Sequence, residues 1–117
     1  MENKLVNSIV AGIQEKKGKD ITIVDLTSIA DAACQYFVIC EANSPNQMRA
    51  LVDSIKEKAS LMAGEKASHV EGLNQSEWAA IDYGYVIVHL FLPEARAFYQ
   101  LESLWADAKL TQIKNLD

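Results

Sequence analysis

A regular spacing of apolar residues predicts a helix at the start of the chain, because residues that recur every three or four positions share one helix face. The residues of this stripe are Leu5, Val6, Ile9, Val10 and Ile13. Gly18 follows the stripe and supplies a stop signal. Two short runs then change the pattern: residues 21–26 read ITIVDL and residues 36–41 read YFVICE. Both are rich in β-branched or aromatic side chains, and we expect both to be strands.

Residues 44–47, with the sequence SPNQ, predict the start of a second helix. Ser44 can cap the helix, Pro45 suits its first turn, and Gln47 completes a capping box. A second apolar stripe then runs up to Gly64, and its members are Met48, Leu51, Val52, Ile55, Ala59 and Met62. At helical spacing these side chains are expected to fill the core. The polar stretch from 64 to 77 predicts a loop.

Residues 77–91, EWAAIDYGYVIVHLF, predict a β-hairpin with Tyr83-Gly84 at its tip. In that register Trp78 lies opposite His89. Alternation along the strands gives one wholly apolar face, which must belong to the core: Ala79, Ile81, Val86, Val88, Leu90 and Leu92. The opposite face is mixed: Trp78, Ala80, Asp82, Tyr85, Ile87, His89 and Phe91.

The mixed face of the hairpin has two interpretations that the periodicity favours equally. It is suited to a partly open recognition surface, where aromatic residues commonly anchor a partner. The same pattern would arise if the face were packed beneath a terminal helix with His89 simply hydrogen-bonded. Asp82 could instead anchor the turn by accepting backbone hydrogen bonds.

Pro93 predicts the start of a further helical stretch, which carries Arg96, Phe98, Tyr99, Leu101, Leu104 and Trp105. Arg96 and Tyr99 lie just past the hairpin, where they either extend its surface or brace the terminal helix. The predicted order, α-β-β-α-β-β-α, favours an α/β fold in which a mixed β-sheet has flanking helices. A length of 117 residues favours a single domain over residues 1–117.

Charge argues against a simple nucleic-acid binder, since 16 acidic residues exceed 11 basic ones and give a net charge of −5. Local basic density is confined to residues 15–19 and 56–58, and both stretches contain Glu. No apolar run is long enough for a membrane helix, and the N-terminus lacks the features of a secretory signal. We therefore expect a cytoplasmic protein with no membrane contact. Cys34 and Cys40 are expected to be buried structural thiols.

Patterns that carry catalysis are absent from the sequence. His69-x-Glu71 and His89 could be imagined as metal ligands, but no third and fourth ligand has a recognisable spacing. No Ser or Cys has a convincing His partner, and no glycine-rich phosphate loop occurs. We therefore expect no catalytic residue, no metal and no cofactor.

Motifs spread over most of the chain resemble those of one family. In chain order they are Tyr36-Phe37-Val38-Ile39, Ser44-x-x-Gln47, Glu71-Gly72, Trp78-x-x-x-Asp82-x-Gly84-x-Val86-x-Val88-His89, and Arg96-x-Phe98-Tyr99-x-Leu101-Glu102-x-Leu104-Trp105. Together they are similar to the ribosomal silencing factor family, also called RsfS or Iojap, from the first helix to Ala108. Departures from the family pattern include Tyr85, where an acidic residue is usual, and the small pair Ala79-Ala80.

The resemblance implies a non-enzymatic factor that binds the intersubunit face of the large ribosomal subunit through its fourteenth protein. Such proteins block docking of the small subunit and lower translation when nutrients are scarce. We then expect little direct contact with rRNA, and the free protein could pair with itself through the mixed face. The residues expected to contact the partner are Trp78, Tyr83, Tyr85, His89, Arg96 and Tyr99.

The family fold also resembles the nucleotidyltransferase scaffold, which leaves a nucleotide-handling enzyme as the alternative. Active members of that superfamily carry a Gly-Ser turn and an Asp-x-Asp strand. Here Asp20 and Asp25 are five positions apart with no preceding Gly-Ser. Residues five apart on a strand point to opposite faces, so this pair is not expected to share a metal.

Overall fold

The computed structural model describes residues 3–32, 34–72, 77–100 and 108–115. Its elements are helix α1 (Lys4–Glu15), strands β1 (Lys19–Asp25) and β2 (Tyr36–Glu41), helix α2 (Pro45–Lys58) with a π-helical turn (Ala59–Ala63), strands β3 (His69–Glu71), β4 (Trp78–Asp82) and β5 (Val86–Phe91), helix α3 (Pro93–Tyr99) and strand β6 (Lys109–Ile113). The predicted α/β class is confirmed. Strands β3 and β6 were not predicted, and the predicted helical residues Leu101, Leu104 and Trp105 lie outside the described residues.

All six strands form one sheet in the order β3-β4-β5-β2-β1-β6. Only β2 and β5 pair in parallel, so the sheet is mixed, as the sequence predicts. A parallel pair requires a long crossover, and α2 lies within the connection from β2 to β5. The two central strands are therefore β5 and β2, and their side chains occupy the middle of both sheet faces.

Helices α1 and α2 cover one face of the sheet, and most of their predicted apolar stripes are buried there. Val10 is only partly buried, and Met62, which was expected to fill the core, is 50% exposed in the π-helical turn. A Cβ atom on Gly12 would lie 2.8 Å from the Cα of Ile55, so the absence of a side chain lets the two helices approach closely. At the same crossing the Ser54 hydroxyl donates a hydrogen bond to the carbonyl of Gly12 at 2.8 Å.

The predicted start of α2 is confirmed, with one change in its hydrogen bonds. Ser44 Oγ accepts from the backbone N–H of Gln47 at 3.1 Å, as an N-cap should. The Gln47 side chain, however, accepts from the N–H of Asn43, one residue before the cap. Its amide group also donates to the carbonyls of Lys16 and Lys17, at 3.1 and 3.2 Å. Gln47 therefore fixes the α1–β1 turn against α2.

The predicted tip of the β4–β5 hairpin is wrong by one residue. Tyr83 N–H donates to the Val86 carbonyl at 2.9 Å, which makes Gly84-Tyr85 the two-residue turn. Gly84 has φ of +90°, as a turn with a left-handed first residue requires. Trp78 consequently pairs with Phe91 and not with His89.

This register differs from the predicted one by two residues, so every side chain of β4 and β5 keeps its predicted face. The helix-covered face of the hairpin consists of Ala79, Ile81, Val86, Val88 and Leu90, all fully buried. Its assignment to the core is confirmed. Leu92 is only partly buried at the edge of the same core.

Candidate partner-binding surface

The opposite face of the sheet holds a group of rings that we call the aromatic cluster: Phe37, Trp78, His89, Phe91 and Tyr99. Trp78 lies at its centre, with its ring centroid 5.0 Å from that of Phe91 and 4.6 Å from that of Tyr99. Phe37, on β2, meets His89 edge-on at 5.0 Å. Offset and edge-to-face contacts of this kind are the favoured geometries between rings.

A hydrogen bond joins the two polar rings of the aromatic cluster, since Trp78 Nε1 donates to His89 Nδ1 at 3.0 Å. The bond requires an unprotonated Nδ1, so the neutral ring carries its proton on Nε2. Nε2 is buried and has no hydrogen-bond partner among the described residues. His89 is only 8% exposed, and burial lowers its pKa to about 4. At neutral pH it is therefore an uncharged member of a largely covered face.

This face of the sheet is partly packed and partly open. Phe91 is the fully buried member of the aromatic cluster. Ala95 of α3 and residues of the β1–β2 connection pack on the same side of the sheet. Trp78 remains partly exposed. Two rings of α3 reach the surface further out, with Phe98 81% and Tyr99 44% exposed. Tyr99 thus connects a packed interior to an open aromatic surface at α3.

Phe98 was not among the predicted contact residues, although its ring meets that of Tyr99 edge-on at 5.1 Å. The sequence contained a signal for it, because Phe98 belongs to the Arg-x-Phe-Tyr motif that carries the family resemblance. Helical spacing alone does not show whether two adjacent aromatic residues face the core or the solvent.

Arg96 braces α3 against the sheet, which was one of the two roles predicted for it. Its guanidinium donates to the carbonyl of Asp20, to Thr22 Oγ1 at 3.0 Å and to Glu41 Oε2 at 3.3 Å. The side chain is only 10% exposed, so these partners replace its contact with water. Burial raises the pKa of Glu41, and the adjacent positive charge of Arg96 opposes that shift.

The hairpin tip lies apart from the aromatic cluster, contrary to the predicted placement of Tyr83 and Tyr85. Tyr83 is 7% exposed and belongs to the core beneath α1 and α2. Tyr85 occupies the turn, packs against that same core and donates from its hydroxyl to Glu65 Oε2 at 2.8 Å. Asp82 anchors the turn as predicted, because its Oδ1 accepts from the N–H of Gly84 at 2.7 Å.

The candidate metal ligands are not brought together. His69 Nε2 lies 2.8 Å from Glu71 Oε1 on exposed β3, which is separated from the strand of His89 by β4. Across the described ranges no three His, Cys, Asp or Glu side chains are placed to hold an ion. Asp20 and Asp25 lie near opposite ends of β1, where Asp25 accepts from Thr27.

Other predictions concern burial and hydropathy. Cys34 and Cys40 are free and buried, as expected of structural thiols. Burial raises the pKa of Cys40 to about 12, so its thiol stays protonated. Within the described part of the chain, no helix has the length and apolar character needed to cross a membrane.

Comparison with known proteins identifies the family. Residues 1–117 match the family described as "Ribosomal silencing factor during starvation". The chain is 33% identical over 112 residues to the ribosomal silencing factor RsfS of Bacillus subtilis, covering 96% of this chain and 93% of that protein. It is 27% identical over 114 residues to the mouse protein "Mitochondrial assembly of ribosomal large subunit protein 1", covering 92% of this chain and 50% of the mouse protein.

Solved structures show the same fold. A crystal structure from Chromobacterium violaceum superposes with a TM-score of 0.79 at 31% identity, covering 86% of this chain and 82% of that one. One from Bacillus halodurans gives 0.74 at 30% identity, covering 94% and 96%. The chain belongs to the ribosomal silencing factor family, and the resemblance in its motifs is confirmed.

Proposed function

We propose that this protein is a non-enzymatic repressor of translation that acts on ribosomes in the cytoplasm. It binds the large ribosomal subunit at its intersubunit face, through the fourteenth large-subunit protein. While bound, it occupies the space that the small subunit needs and so prevents subunit joining. Family membership supports this activity, and the name of the mouse relative likewise refers to the large ribosomal subunit.

The open aromatic surface at α3 is the observation that carries the proposal for a protein partner. Exposing the aromatic rings of Phe98 and Tyr99 to water is unfavourable. Burial of these rings in an interface with a partner would therefore be favourable. We propose that Trp78, His89 and Tyr99 form the partner-binding surface and the side chains that support it. Phe98, which was not predicted from the sequence, belongs to the same surface. Arg96 acts indirectly by fixing α3. Tyr83 is buried and Tyr85 packs against the helix-covered core, so we leave both out of the proposed contact surface.

Charge favours a contact led by protein and not by rRNA. The net charge is −5, and no cation other than Arg96 is found among the residues of the aromatic surface and α3. Binding to large subunits should therefore weaken only modestly between about 50 and 200 mM salt, because few phosphates are neutralised. A loss of affinity on the order of a thousandfold over this range would show that exposed Lys16 and Lys17 bind rRNA directly.

Sedimentation of a cell lysate at low magnesium tests the proposal. The protein should migrate with free large subunits, and adding it to separated subunits should reduce joining when magnesium is restored. Magnesium-dependent nucleotide binding by the purified protein, together with no subunit association, would contradict the proposal. That outcome would favour the alternative of a nucleotide-handling enzyme.

A further inference from the structure

A groove runs along the first turn of α3, beside the aromatic cluster. Its apolar side is formed by Leu92, Pro93, Phe98 and Tyr99, and its polar rim includes Glu77 and Glu94. The backbone holds the two sides together, because the N–H of Leu92 donates to the carbonyl of Glu77 at 3.0 Å. The groove therefore combines apolar surface with two acidic side chains on its rim.

Among the described residues, no side chain neutralises the carboxylates of the groove. Glu77 and Glu94 are both exposed, and neither forms an ion pair within the described ranges. The cation of α3, Arg96, is directed at Thr22 and Glu41 and is almost fully covered. The groove consequently presents negative charge next to an exposed phenyl ring.

We propose that this groove receives an apolar side chain of the protein partner that is flanked by Lys or Arg. The inference rests on the proposed function and specifies the chemistry of the partner. An apolar side chain against Leu92 and Phe98 would bury surface that now faces water. Cations beside it would pair with Glu77 and Glu94, and such complementary charges accelerate encounter and fix register. A phosphate backbone would be repelled by the same two carboxylates.

Two double variants distinguish an effect of the groove on binding from a general effect of net charge. Glu77→Lys with Glu94→Lys alters the groove, whereas Asp53→Lys with Glu57→Lys alters two exposed acids on α2 by the same total charge. Both pairs would be measured for binding to purified large subunits and to the isolated fourteenth protein, alongside thermal unfolding. Glu94→Lys alone provides a second test if the Glu77 change affects folding.

The groove pair should weaken binding at least about tenfold and flatten its dependence on salt, while the α2 pair stays within about twofold of the wild type. Equal losses from both pairs, or no loss from the groove pair, would overturn the proposal while leaving the proposed function standing. If the wild-type protein binds neither the subunit nor its fourteenth protein, the proposed function fails and this inference with it.

Discussion

The two faces of the central sheet differ in chemistry although the same strands build both. On the helix-covered face, Ile81, Val88 and Leu90 are completely buried beneath α1 and α2. On the other face, Trp78 and His89 occupy the neighbouring positions of the same hairpin and are joined by a hydrogen bond. Their covering is thinner, and it ends in the exposed rings of α3.

The two faces also differ in how much apolar surface they bury. The helix-covered face holds most of the fully buried apolar side chains, so it contributes most of the hydrophobic driving force for folding. The aromatic cluster contains polar atoms, and one of them, His89 Nε2, is buried without a partner among the described residues. The Tyr83 hydroxyl on the helix-covered side is likewise buried without a partner among those residues, so the two faces differ in apolar burial and not in the satisfaction of their polar atoms.

Val88→Asp should have the largest effect on stability. Val88 is fully buried on the helix-covered face, and an unpaired carboxylate there costs several kcal/mol out of a total of about 5–15. We expect the variant to be unfolded by circular dichroism at room temperature. The matched change Ile87→Asp, one residue away on the partly exposed opposite face, should be less damaging. If Ile87→Asp is the more harmful, the two faces have been assigned the wrong way round.

Acidification should weaken the aromatic cluster through His89. Its pKa is about 4 in the folded protein and about 6.5 when unfolded, so the unfolded state binds the proton first as the pH falls. Its contribution is complete above pH ~6.5 and is lost as the pH falls towards ~4, a change of about 3 kcal/mol.

The comparison protein for this titration is His89→Asn, which removes the titrating ring. Urea unfolding of both proteins between pH ~7 and ~4 should show the steeper loss in the wild type. The raised pKa of Glu41 affects both proteins and cancels in the difference. Identical pH profiles would mean that His89 is not held neutral by burial.

Arg96→Met should destabilise the protein by about 2 kcal/mol, since it leaves the partly buried Glu41 without its cation. The double change Arg96→Met with Glu41→Gln should recover part of this loss by removing the orphaned charge. Chemical unfolding of the single and double variants measures both effects. A double variant less stable than Arg96→Met alone would show that Glu41 is held by other contacts.

Local patterns were sufficient to predict the elements that are buried on one side. A few consecutive residues are enough to identify the stripe from Leu5 to Ile13, the strand 36–41 and the helix cap at Ser44. Strands β3 and β6 were missed because each is short and mostly exposed, so pairing with β4 and β1 decides their structure.

The candidate site was harder to predict because its defining contacts are long-range. Arg96 meets Thr22 across 74 positions, and no local pattern encodes such a contact. The hairpin faces were correct while its tip was wrong, because alternation fixes the face but both Tyr-Gly and Gly-Tyr suit a two-residue turn. Tyr83 was assigned to the contact surface as part of the predicted tip, and Tyr85 as a member of the mixed face, whereas Tyr85 lies in the turn and packs against the helix-covered core.

The central claim is that the ribosome meets the protein at α3 and the aromatic cluster, and not at the helical layer. Each region offers a pair of exposed apolar side chains: Phe98 and Tyr99 on α3, Leu61 and Met62 in the π-helical turn after α2. The direct test is binding of purified large subunits by Phe98→Ser with Tyr99→Ser and, separately, by Leu61→Ser with Met62→Ser. The α3 pair should bind at least about thirtyfold more weakly, and the helical pair should bind as the wild type does. Normal binding by the α3 pair and a loss in the helical pair would contradict the account.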